Sequence, residues 1–72
     1  MPYDYAKLLG KIVEKYGTQY RFADAIGLSE RTLSLKMGGK VGWKQDEIAK
    51  ACELLCINER EIHKYFFALK VQ

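Results

Sequence analysis

The segment from Thr18 to Met37 reads TQYRFADAIGLSERTLSLKM and leaves the chain few ways to fold. Thr18 and Ser29 are residues whose side-chain oxygens accept the free N–H groups at the start of a helix. Gly27, between the two helices they open, supplies the left-handed backbone on which a helix readily ends. Helices joined by so short a turn cross steeply, and the second projects from the body of a small domain. Phe22, Ala23 and Ile26 form the inward face of the first helix of the pair; Leu28 tucks under the turn, and Leu33 and Met37 point inward from the second. Ala23 is small because the two helices meet there.

The remaining segments read as helices that support this pair. Tyr5, Leu8, Leu9, Ile12, Val13 and Tyr16 recur with helical period, with Asp4 placed to cap the start and Gly17 to end it. Gly38 and Gly39 stop the third helix, and a loop runs to Trp43, which covers the core between the third and fourth helices with its N–H at the surface. The fourth helix begins near Lys44 or Gln45 and buries Ile48, Ala49, Cys52, Leu55 and Cys56. Asn58 and Glu61 have the spacing of a capping box for a fifth helix with inward Ile62, Tyr65, Phe66 and Leu69. No strand signal is convincing, although residues 67–71 are compatible with an extended end. The expected fold is all-α: one compact five-helix domain over residues 1–72.

Seventy-two residues build one small core, burying about 60% of the unfolded chain's surface. A composition of 49% apolar and 29% charged residues is that of a folded chain rather than a disordered one. No apolar run reaches the length of a membrane span, and the start lacks a signal sequence, so a cytoplasmic location is expected. Cys52 and Cys56 read as reduced, core-forming thiols. With a single histidine, no nucleotide-binding glycine loop and no paired carboxylates on a pocket face, no enzyme activity, metal, cofactor or small-molecule effector is expected.

The net charge of +3 is unevenly spread: +1 over residues 1–17, +3 over 18–44 and −1 from 45 onward. The positive field thus centres on the helix pair and the loop behind it, where a polyanion would dock.

Gln19, Phe22, Ala23, Ile26, Gly27, Leu28, Ser29 and Leu33 fit the pattern Q-x-x-Φ-A-x-x-Φ-G-Φ-S-x-x-x-Φ, with Φ apolar. In this the chain resembles the lambda-repressor-like, Cro/CI-type helix-turn-helix family, and its size resembles a Cro-like phage repressor from a Gram-positive host. The resemblance extends through Ile48, Cys52, Leu55, Ile57 and Glu61. It implies a sequence-specific transcriptional repressor that holds a near-palindromic double-stranded DNA operator as a homodimer, with the third helix in the major groove.

On that resemblance Glu30, Arg31, Thr32, Ser34 and Leu35 reach base edges, Arg31 by pairing with guanine O6 and N7. Gln19, Arg21, Ser29, Lys36, Lys40 and Lys44 contact phosphates, from helix starts and the following loop. The apolar C-terminal residues Tyr65, Phe66, Phe67 and Leu69, with Val71, are the expected dimer surface. Other readings compete: Arg31 on a phosphate, Glu30 paired with Arg31, Leu35 at the edge of the core, Arg21 in no contact, Trp43 over the sugar-phosphate backbone, and Phe67 and Val71 wrapped back on the first helix. The rival function is a helical protein–protein interaction module, an antirepressor or adaptor that reuses the fold. That reading calls for a neutral or apolar surface on the third helix. A DNA-bending excision factor is a third reading.

Overall fold

The structure, a computed structural model, describes residues 3–70. Five α-helices follow one another as α1 (Ala6–Tyr16), α2 (Gln19–Ile26), α3 (Glu30–Met37), α4 (Gln45–Leu55) and α5 (Ile62–Phe66), with a 3₁₀ turn, Glu59–Glu61, leading into α5. The described residues contain no strand beyond an isolated antiparallel bridge between Tyr3 and Leu69, where the Asp4 N–H donates to the Ala68 carbonyl at 2.6 Å. The fold is therefore the small five-helix domain expected.

The local chemistry of the helix pair is as the sequence dictates. Thr18 Oγ1 accepts the Arg21 N–H at 3.2 Å, and Ser29 Oγ accepts the Thr32 N–H at 3.0 Å. Gly27 stands at φ 83°, so its N–H and that of Leu28 both turn back on the Ala23 carbonyl. Each cap satisfies a backbone group that would otherwise lie unpaired at a helix end. Phe22, Ala23, Ile26 and Leu33 are buried, and Leu28 and Met37 pack against the core at its margin. Leu8 and Ile12 of α1, Ala51, Cys52 and Leu55 of α4, Ile57, and Tyr65 and Phe66 of α5 close that core from the other sides.

Several of the expected burial and capping positions differ. Leu9 and Val13 are 39% and 49% exposed: the apolar stripe of α1 is wider than its neighbours can cover, and α1 buries only its Leu8–Ile12 side. On α4 the buried alanine is Ala51, while Ala49 faces out. Cys56 is exposed and ends α4 in the left-handed region at φ 55°. The fifth helix starts as a 3₁₀ turn. Asn58 Oδ1 takes the Arg60 N–H at 2.9 Å, and Glu61 faces Lys64 at 3.6 Å in place of a capping box. Leu69 lies beyond α5 and is exposed; Val71 lies outside the described residues.

Cys56 offers a direct check on the backbone. A non-glycine residue in the left-handed region carries about 1–2 kcal/mol of strain, part of which glycine returns as added freedom of the unfolded chain. Because the thiol is exposed, Cys56→Gly forfeits little packing and is expected to raise stability by about 0.5–1 kcal/mol, read as a higher denaturant midpoint with an unchanged slope.

Candidate functional site

The α2–α3 pair presents the surface that the sequence singles out. Glu30, Arg31 and Ser34 are exposed along α3, with Thr32 and Leu35 half-buried beside them. The Ser29 hydroxyl is committed internally: besides accepting the Thr32 N–H it donates to Thr32 Oγ1 at 2.8 Å. Gln19, half-buried at the start of α2, reaches across so that its Nε2 lies 3.5 Å from Ser34 Oγ and braces α3. Arg21, Lys40 and Lys44 are exposed at the flanks. Glu30 and Arg31 form no ion pair, and none involves Arg21, Lys40 or Lys44, among the described residues.

Lys36 is not where a phosphate-binding lysine belongs. Its residue exposure is 2%, and its ammonium lies 2.7 Å from Glu47 Oε1 and donates to the Gly42 carbonyl at 2.8 Å. The ring of Trp43 sits 5.9 Å away. The reason is the helical period: Lys36 follows Leu33 by three residues, so both fall on the face turned to the core. Glu47, in the first turn of α4, is the partner that sequence reasoning misses. It collects two donors on one carboxylate, since its Oε1 also accepts the Lys44 N–H at 2.8 Å. Burial pushes the Glu47 carboxyl upward, but hydrogen bonds from Lys36 and from the Lys44 backbone, with the charges of both lysines, outweigh it and hold the group below 4.5. A Glu three residues after a helix-start position, just ahead of Ile48, is the sequence signal for its capping role, though not for its pairing with Lys36.

With Lys36 drawn inward, Glu30 and Arg31 are the charges left on the exposed face of α3, and they cancel. The loop behind α3 is tied down as well. The Lys40 and Val41 N–H groups donate to the Leu35 carbonyl at 2.9 and 3.3 Å, and Lys36 and Glu47 hold its far end.

The expected dimer surface divides. Tyr65 and Phe66 are 9% and 1% exposed and belong to the core, whereas Phe67 and Leu69 are exposed. Phe66 is needed inside because Trp43 stands on it edge-to-face at 5.1 Å. Trp43 does cover the core, but its indole N–H is buried without an acceptor rather than placed at the surface. Among the described residues no group of three or more His, Cys, Asp or Glu could hold a metal ion. No helix among the described residues is long and apolar enough to cross a membrane.

These features define a small all-helical domain built round a braced helix-turn-helix pair whose projecting helix is electrically neutral. The chain belongs to the family described as "Protein of unknown function (DUF739)", whose sequence model matches residues 1–69. It is similar, at 62% identity and a TM-score of 0.83, to the modulator of repression (MOR) of the temperate bacteriophage TP901-1 from Lactococcus lactis, a match spanning 100% of this chain and 97% of that one. No curated protein matches it. These findings overturn the assignment to the Cro/CI-type repressors: the matching family is a different one, and the similar solved structure is a modulator of repression, not a repressor. The operator-binding function falls with that assignment, and the base and phosphate roles lose the resemblance that implied them.

Proposed function

We propose that this chain modulates repression by gripping a repressor protein through the exposed surface of α2 and α3. It acts by binding and not by catalysis, as a single domain, in the cytoplasm where a phage repressor works. The observation that carries the reading is the fate of Lys36: the cation in the last turn of α3 is spent inside the molecule on Glu47. A surface built for DNA gathers cations, since phosphate neutralisation supplies most of its affinity. A surface on which the exposed Asp24 and Glu30 balance Arg21 and Arg31 beside the Ser34 hydroxyl suits the mixed polar rim of a protein interface. The likeness to a modulator of repression supports the same partner class.

On this reading Arg31 is the anchor of the interface, a residue type enriched among interface hot spots, and Gln19 keeps Ser34 and the helix in register. The test is a titration of the TP901-1 repressor with this chain. Wild type is expected to bind, and Arg31→Glu to weaken binding by about tenfold or more, about 1.4 kcal/mol, with an unchanged melting temperature because Arg31 is exposed. Equal affinity for Arg31→Glu and for Ser34→Tyr would remove α3 from the interface. A salt-dependent gel shift of operator DNA by this chain alone would refute the partner class.

A further inference from the structure

A second surface lies away from α3, where the ends of the described chain meet the α3–α4 loop. Tyr3, Val41 and Phe67, between 37% and 49% exposed, line a cleft of about 270 Å³ that includes Tyr5, Trp43 and Phe66 among its walls, and Leu69, 50% exposed, is bridged to Tyr3 beside it. These four are more than half of the large exposed apolar side chains among the described residues. Scattered singly, such residues call for no explanation, but gathered at a concave site they mark a binding surface.

No charged side chain lines the cleft itself, but its surroundings are basic: Lys70 lines a neighbouring hollow that shares Tyr3, Lys7, His63 and Lys64 line another that shares Phe67, and Lys40 precedes Val41 on the loop. Lys7, Lys40 and Lys70 have no ion-pair partner among the described residues, and Lys64 shares Glu61 at 3.6 Å. Asp4 lines both neighbouring hollows and keeps its charge while its Oδ1 accepts the Ala6 N–H at 2.9 Å; with Glu61 it offsets two of the four lysines, which leaves the surroundings net positive.

We infer that this aromatic cleft docks a short acidic segment of a partner protein, one apolar side chain entering the cleft and flanking carboxylates meeting Lys7, Lys40 and Lys70. Charge complementarity selects this occupant. A second copy of the chain would bring the same cations face to face, which costs affinity. Bases of single-stranded nucleic acid stack on open, parallel ring faces, whereas Tyr3 and Phe67 stand perpendicular to each other, edge-to-face at 5.8 Å and 89°, and offer no continuous platform. The inference is independent of the α2–α3 contact.

The chain has one tryptophan, so emission from Trp43 reports occupancy of the cleft directly. The probes are the hexapeptide Glu-Asp-Phe-Leu-Asp-Glu with blocked ends and its charge-reversed counterpart Lys-Arg-Phe-Leu-Lys-Arg. The acidic peptide is expected to shift the emission and saturate, with affinity falling as salt rises. Phe67→Ser should weaken it about tenfold, and the combined Lys7→Gln, Lys40→Gln, Lys70→Gln variant by a similar factor. Should Phe67→Ser lose its helical circular dichroism, Val41→Ser on the loop carries the same arm. No shift below about 1 mM peptide, equal binding of the basic peptide, or affinity unmoved by these variants would overturn the inference. So would tighter binding of oligothymidine or anionic vesicles, or self-association that Phe67→Ser abolishes.

Discussion

Replacing Glu47 by alanine is expected to destabilise the fold by about 3–5 kcal/mol, because it strands a buried ammonium. Lys36 has a side-chain exposure of 3% and Glu47 of 14%, so water cannot easily take over the role of the carboxylate. The same substitution removes the acceptor of the Lys44 N–H at the start of α4. For a domain of this size, whose total stability is about 5–10 kcal/mol, this is a large share, and thermal melting should record a fall of tens of degrees. Paired replacement, Lys36→Met with Glu47→Leu, should recover most of the loss, since a well-packed apolar pair often matches a buried ion pair. If Glu47→Ala melted with wild type, the pair would carry no structural weight. The acid limb follows from the same contact. The folded Glu47 carboxyl titrates below its ordinary 4.5, so its contribution is complete above 4.5. It is lost as pH falls below that value and through the folded one. Glu47→Gln should flatten that limb.

Phe66→Ala should cost about 3–5 kcal/mol, the range for emptying a large aromatic site in a packed core. Phe66 is 1% exposed and sits on the five-residue α5, which is too short to persist without its packing. Trp43 leans on its ring, so the near-ultraviolet dichroism of the tryptophan should collapse together with the denaturant midpoint. A variant that kept both would show that α5 does not anchor the loop. The same residue separates two ideas about the C-terminal segment. Phe66 stabilises the monomer, while Phe67, one position on and 49% exposed, is available for binding.

Where a rule of local chemistry applies, the sequence is readable. The oxygens of Thr18 and Ser29, the left-handed turn at Gly27 and the inward Phe22, Ala23, Ile26 and Leu33 follow from capping and period alone. The step from shape to partner is the one that misleads. Eight positions of a helix-turn-helix pattern specify how two helices cross; the chemistry of the outward face is a separate matter. Lys36 shows how the two become confused. Being a lysine, it reads as a surface cation, although its spacing from Leu33 places it inside. Its counter-ion lies eleven positions away across a loop, a pairing that no local rule joins. Leu9, Val13 and Ala49 fail for a related reason: periodicity names a face, and only the neighbouring helices decide how wide a stripe of it is covered. Cys56 stands at a helix end, just before Ile57 and Asn58, but a thiol gives no turn signal of its own.

The bridge from Tyr3 to Leu69 has an architectural consequence. The domain is nearly a closed ring, cut where its first and last described residues run side by side. Joining them would need only a few added residues and little entropy. The helices could then be threaded from a new starting point, such as the exposed glycine at position 39, with the same core inside.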